Sequence, residues 1–199
     1  MSKVQVDTID TRSGTSTMQI GSTNTSTINL GVSGDTVNIP SGVTIANAGT
    51  ATGFGGTNTP AFLARLSSTT QSIADDTYTK IQFNTEVYDT ASAYDNSSNY
   101  RFTVPSGQGG KYFIYSAVRM ASSSATLTLN LRLNGSNAGF SSLKAVSGEL
   151  QTITLMYSKD LSAGDYLEVY LRQQSGGSLN ASGDSNDTTT YFGGFKIIE

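Results

Sequence analysis

The sequence predicts an all-β protein: a two-sheet sandwich or barrel behind an extended N-terminal segment of short β-repeats. Three observations lead there. Gly, Ser, Thr and Asn fill most polar positions of the 199 residues, a mix that favours strands and turns over long helices. Apolar and polar residues alternate along short runs, and no stretch carries a 3.6-residue apolar stripe. Composition breaks at the Gly-rich run Gly53-Phe54-Gly55-Gly56-Thr57-Asn58-Thr59-Pro60: of 10 Tyr and 8 Phe, only Phe54 precedes Pro60. The break divides the chain into residues 1–59 and residues 60–199.

The first region holds 20 Ser and Thr and no Tyr, so it lacks the large side chains of a conventional core. It is patterned nonetheless. Thr17-Met18-Gln19-Ile20-Gly21, Thr27-Ile28-Asn29-Leu30-Gly31 and Thr36-Val37-Asn38-Ile39-Pro40 repeat Thr-apolar-polar-apolar-Gly/Pro, spaced ten and nine residues apart. Gly42-Val43-Thr44-Ile45-Ala46 is a looser fourth copy. Each reads as a short strand closed by a turn residue. One apolar pair per unit is too little to bury in a monomer. The expectation is burial against identical chains around a threefold axis or against a larger partner.

The second region supplies the longer strands in order. Ala61 to Leu66, Lys80 to Phe83, Arg101 to Val104 and Lys111 to Met120 come first. Thr126 to Leu133 alternates strictly, with four leucines on one face and Asn134-Gly135, a hairpin turn signal, directly after it. Thr152 to Tyr157 and Tyr166 to Arg172 flank the turn Leu161-Ser162-Ala163-Gly164-Asp165, and Thr190 to Ile198 closes the chain. About eight or more strands between turn clusters read as a sandwich or barrel.

Two strands are apolar on both faces: Lys111 to Val118, and Tyr191 to Ile198. A sandwich strand buries one face, so a second aromatic face needs its own cover. A subunit interface or loops of the same chain could supply it. Tyr112, Ile114, Phe192 and Phe195 are the residues expected at an interface or in the core; the sequence does not separate the two roles.

Chemistry is constrained by what is missing. The chain has no Cys and no His, which removes disulfides, cysteine or histidine metal ligation, and triads built on histidine. Lys and Arg total 12 against 15 Asp and Glu, so no basic excess points to nucleic acid. No run approaches 18 apolar residues, so no transmembrane helix is expected, and the N-terminus has no apolar signal region. Gly107-Gln108-Gly109-Gly110 lacks the Lys-Ser/Thr ending of a phosphate loop and reads as a hairpin turn. Asp75-Asp76 and Asp184-Ser185-Asn186-Asp187 are dense enough in oxygen to suggest calcium, but neither fits the twelve-residue calcium loop; both read as turn formers. Glycoside hydrolysis needs two carboxylates held about 5–9.5 Å apart, and Glu86, Asp89, Glu149, Asp165 and Glu168 show no spacing that implies it. No enzyme activity and no cofactor are expected. Tyr88, Tyr94, Asp95, Asn96 and Tyr100 mark a long polar loop with regularly placed aromatics. It suits glycan stacking, or equally a surface loop whose tyrosines pack at its base.

Six blocks in residues 60–199 resemble the globular head of complement component q, within the complement/tumour-necrosis-factor superfamily. They are Pro60-Ala61-Phe62-Leu63-Ala64, Lys80-Ile81-Gln82-Phe83-Asn84, Tyr100-Arg101-Phe102-Thr103-Val104-Pro105, Gly110-Lys111-Tyr112-Phe113, Leu161-Ser162-Ala163-Gly164-Asp165-Tyr166-Leu167-Glu168-Val169 and Thr190-Tyr191-Phe192-Gly193-Gly194-Phe195. The resemblance implies a jelly-roll sandwich of about eight to ten antiparallel strands, assembled as a homotrimer. The collagen repeats that precede vertebrate heads are absent. Instead, Val4-Gln5-Val6-Asp7-Thr8-Ile9 and Gly34-Asp35-Thr36-Val37-Asn38-Ile39-Pro40-Ser41-Gly42 resemble leaders of structural proteins in tailed bacteriophages. Together the resemblances imply a trimeric virion protein, fibre-like or capsid decoration, made in a host cytoplasm. Its leader would contact other virion proteins, with Val4, Val6 and Ile9 as anchor residues. Its head would face solvent and meet a host surface glycan or protein. The competing expectation is a stand-alone carbohydrate- or protein-binding module.

Overall fold

The computed structural model describes residues 20–21, 23–49, 58–67, 69–121, 124–186 and 189–197. The expected anchor residues Val4, Val6 and Ile9 lie outside them. The chain divides into two units, Met1–Thr52 and Gly53–Glu199.

The second unit contains no helix among the described residues and thirteen strands in two antiparallel sheets. In chain order they are β1 (Ala61–Arg65), β2 (Thr70–Ile73), β3 (Thr79–Lys80), β4 (Thr85–Asp89), β5 (Tyr94–Asp95), β6 (Arg101–Thr103), β7 (Gly110–Met120), β8 (Thr126–Leu133), β9 (Ser136–Lys144), β10 (Gln151–Leu161), β11 (Tyr166–Gln174), β12 (Leu179–Ser182) and β13 (Tyr191–Lys196). One sheet runs β2-β12-β7-β13-β1-β4, with β10 along the other edge of β7; the second runs β5-β6-β11-β8-β9, with β3 beside β11. The first strand of the head therefore pairs with the last, Ala61 opposite Phe195. This two-sheet antiparallel arrangement is a jelly-roll sandwich.

Alternation builds the core. Leu127, Leu129 and Leu131 of β8 face Phe62, Ile114 and Val118 of the other sheet's inner side within one buried cluster. Leu167, Val169 and Leu171 of β11 join them. Phe62 stacks on Phe102 at 4.4 Å and meets Phe192 edge-on at 5.0 Å. Asn134 and Gly135 both take positive φ, 51° and 79°, the backbone of a tight hairpin turn from β8 to β9. The Asn134 side chain binds the neighbouring turn as well: its Nδ2 donates to Asp165 Oδ1 at 2.7 Å, and Tyr166 N–H donates to its Oδ1 at 2.9 Å.

A buried amide closes one end of the sandwich. Gln173 is fully buried. Its Nε2 donates to the Ile73 and Gly177 carbonyls at 3.2 and 2.6 Å, and its Oε1 accepts from Ser175 N–H at 2.9 Å. With both ends of the amide engaged, burial leaves no polar atom stranded.

The first unit differs from expectation. No strand forms within the described part of residues 20–49; turns at 23–24, 33–34 and 41–42 separate extended runs. The repeats keep their spacing, but a strand needs a neighbour for its backbone groups, and a single chain offers none here.

Candidate functional site

The outer face of the first sheet carries a row of side chains across five strands. From β4 through β1, β13 and β7 to β10 the row reads Tyr88, Leu63, Gly193, Tyr115, Met156. Phe195 and Phe113 lie opposite each other in the next row, and Tyr191 and Ala117 on the other side. The rings touch: Phe113 to Phe195 at 5.7 Å, Phe113 to Tyr115 at 6.2 Å, Tyr115 to Tyr191 at 6.1 Å. All four rings are half-buried, while Tyr88 is 43% and Met156 72% exposed. Burial, together with a side-chain hydrogen bond to Tyr88, pushes the Tyr115 hydroxyl above the usual tyrosine range. Charges stand at the margins, with Lys111 opposite Asp160 at one end and Arg65 and Arg119 toward the other. The face points away from the second sheet, so the head's own sandwich leaves it uncovered.

The residues expected at an interface or in the core separate by parity. Tyr112, Ile114 and Phe192 are fully buried between the sheets, and burial pushes the Tyr112 hydroxyl up to about 12. Tyr112 keeps its hydroxyl bonded, donating to the Gln108 carbonyl at 2.6 Å. Only Phe195 reaches the outer face. Its neighbours Phe113, Tyr115 and Tyr191 were not singled out by sequence. Their signal was the same alternation read one residue over, since a one-residue shift exchanges the two faces of a strand.

The tyrosine-bracketed loop does not form one surface. Tyr94 is buried among Phe62 and Phe192, and its hydroxyl donates to the Phe83 carbonyl at 3.2 Å. Burial raises its pKa above the ordinary tyrosine value. Tyr88 belongs to the outer sheet face instead. Asp95 organises the turn that follows it. Its Oδ1 accepts from Ser98 and Ser97 N–H at 2.9 and 3.0 Å, and its Oδ2 from Asn99 Nδ2 at 2.7 Å. Those bonds hold its carboxyl well below the usual carboxylate range. Asn96 and Tyr100 are half-exposed, and Tyr100 takes a positive φ of 49°. A shallow depression of about 370 Å³ lies between this loop and β6, lined by Ala91, Tyr94, Asp95, Asn99, Arg101 and Pro105.

The outer face of the second sheet interleaves cations and rings. Arg132 lies 3.9 Å over the Tyr170 ring and 5.7 Å from that of Tyr78; Arg101 lies 4.3 Å over Tyr166. Lys80 Nζ pairs with Glu168 at 2.5 Å. Asp76 pairs with Arg172 and raises the pKa of its guanidinium. Phe140 of β9 stands 73% exposed beside them.

Three of the acidic residues weighed for chemistry are engaged by turn donors. Asp75 Oδ1 accepts from Ser175 and Gly176 N–H at 2.9 and 3.0 Å. Asp89 accepts from Ala91 and Tyr94 N–H at 3.1 and 2.7 Å. Asp165 is held low by Asn134 and by Ser162 N–H. Among the described residues, no three acidic side chains gather as a metal cluster.

Comparison with known proteins adds the family. No curated protein matches the sequence significantly. Solved structures share the fold at low identity. The globular domain of zebrafish complement 1qA aligns with a TM-score of 0.50 at 17% identity, covering 70% of this chain and 98% of that one. Murine APRIL aligns at 0.51 and 15% identity, covering 69% and 98%. Vertex protein P5 of PRD1 aligns at 0.52 and 20% identity, covering 71% and 99%. The C1q domain matches residues 61–197, from the start of β1 to just past the end of β13. That span is more than half the chain, and this protein belongs to the C1q domain family.

Proposed function

We propose that this chain is a non-enzymatic, homotrimeric structural protein of a bacteriophage particle, with residues 1–59 attached to the particle and the jelly-roll head facing solvent. One observation carries the trimer: the uncovered aromatic face of β1, β4, β7, β10 and β13, with Met156 exposed at its edge. A contiguous apolar face on a folded head marks an association surface, and tyrosine and phenylalanine suit its centre. The complement/tumour-necrosis-factor resemblance supplies the threefold symmetry. The particle is supported by the leader's likeness to tailed-phage structural proteins and by the head's likeness to the PRD1 vertex protein. Within it, the head is a tail fibre or a capsid decoration that touches a host glycan or protein.

Deleting residues 1–59 tests the attachment. The truncated head is expected to stay trimeric and to be missing from purified particles. Normal incorporation of the truncated protein would refute the leader's role.

A second reading is a stand-alone binding module. The Arg132–Tyr170–Tyr78 stack and exposed Phe140 favour it, because stacked guanidinium and ring faces offer a ready surface for polar ligands. It predicts full ligand binding by the truncated head alone.

A further inference from the structure

We infer that residues 20–49 form a three-chain β-stalk, in which each copy pairs its extended runs with the same runs of two other copies of this chain. The inference rests on the trimeric reading of the head and adds the occupant of a second surface. Two independent deficits coincide in this segment. First, Ile20, Ile28, Leu30, Val32, Val37, Ile39, Val43 and Ile45 are all exposed, from 44% at Ile39 to 78% at Val32. Second, the extended runs from 28 to 45 pair with no other strand. Among the described residues of that stretch, the backbone bonds are Asp35 N–H to the Val32 carbonyl and Val43 N–H to the Pro40 carbonyl, with Val32 N–H taken by Asp35 Oδ2, all inside turns. Exposed aliphatics and unpaired amides on one extended chain are both removed by strand pairing with another extended chain, and by little else.

The identity of that chain follows from pattern and charge. Ile28, Leu30 and Val32 alternate with Asn29 and Gly31, and Val37 and Ile39 with Asn38, so each run has one aliphatic and one polar side. Gly34 and Gly42 hold positive φ of 98° and 85° in the turns at 33–34 and 41–42, which fixes where the runs end. Identical copies carry the same runs and turns and so match in register. Asp35 is the only charged residue from 20 to 49, and its Oδ2 accepts from Val32 N–H at 2.9 Å within its own turn. Like copies therefore bring no row of like charges together. The segment also lacks aromatics, so its aliphatics fit a narrow three-chain axis. The chain continues from this segment into β1, whose Ala61 and Leu63 lie on the uncovered face of the head. Heads joined on that face hold three leaders at an effective concentration on the order of millimolar.

The native chain has no cysteine, so single thiols report cleanly. The test uses full-length Leu30→Cys and Asn29→Cys, with Ile39→Cys and Asn38→Cys as a second pair. Each is measured for mass by light scattering and for reaction with a soluble disulfide reagent. In trimers, the thiols at 30 and 39 are expected to react roughly tenfold or more slowly than those at 29 and 38, and to form interchain disulfides on mild oxidation. Equal, fast reaction in both pairs of a trimeric protein overturns the stalk and leaves the head interface standing. A monomeric mass with fast thiols overturns both. Fast thiols that become protected only inside assembled particles assign the surface to another protein and also overturn the stalk.

Discussion

The Tyr115 ring lies against Gly193 of the neighbouring strand: a Cβ at that glycine would stand 2.6 Å from the ring Cζ. Gly194, one residue on, faces the core, where a Cβ would meet Ile114 Cδ1 at 2.5 Å and the Phe113 carbonyl at 3.0 Å. The two glycines thus separate assembly from folding. Gly193→Ala should tilt Tyr115 off the sheet, leaving a folded head with weakened self-association. Gly194→Ala should destabilise the head itself by about 1–3 kcal/mol through overpacking. Thermal melts and sedimentation of both variants check this; equal effects on melting would contradict it.

Met156 is 72% exposed in the isolated head, opposite Tyr115 across the β7–β10 pair. Met156→Lys should change the stability of the monomer by less than about 0.5 kcal/mol. In a trimer it brings three new charges to an apolar interface, so the mass by light scattering should fall to one third. A stable trimer bearing lysine at 156 would remove this face from the interface.

Phe62 is 1% exposed and touches three rings, at 4.4 Å (Phe102), 5.0 Å (Phe192) and 5.5 Å (Tyr94). Phe62→Ala should cost about 3–5 kcal/mol, from lost burial plus the cavity left behind. Denaturant unfolding of the full chain measures it, and a loss below about 1 kcal/mol would mean the aromatic cluster collapses around the gap.

Acid should loosen the loops before the sheets. Asp95 and Asp165 have depressed pKa values because backbone and amide donors bind their charged forms. A depressed folded-state pKa contributes stability above the unfolded value, about 3.9 for Asp, and the contribution is lost as pH falls through the folded value. Stability should be flat from about pH 5.5 to 8, since the chain has no histidine, and should decline below about pH 4. Asp95→Asn should lower the melting temperature at pH 7 and shrink that acid decline. A variant with an unchanged acid profile would show that the Asp95 turn is energetically silent.

Legibility followed strand burial. The leucines of β8, the Asn134-Gly135 turn and the inward set of β11 stood out because one buried face imposes strict alternation. β9 was missed: Ser136 to Lys144 is an edge strand with Phe140 in solvent and only a half-buried Leu143 packed against the core, too little to impose alternation. β2, β4, β5 and β12 were missed for shortness or polarity. Tyr94 follows the second of the two readings of its loop: a polar stretch surrounds it in sequence, while its side chain packs at the loop's base, in the core. The outer aromatic face was anticipated as a surface needing cover; of the four residues named for an interface or the core, Tyr112, Ile114 and Phe192 lie in the core and Phe195 on that face. The leader's repeats were legible as pattern, but one chain alone offers no neighbour for their backbone groups.

The pairing of β1 with β13 also sets a timetable. Ala61 meets Phe195, so the first strand of the head must wait for the last to be synthesised. At about 5–20 residues per second, that wait lasts on the order of 7–27 s. During it, β1 and β4 have no β13 to dock on, and the outer face has no centre. Heads that still lack β13 therefore cannot recognise one another through that face. Self-association on it waits until β13 has docked, and its yield should depend on how many such heads are made in the same place.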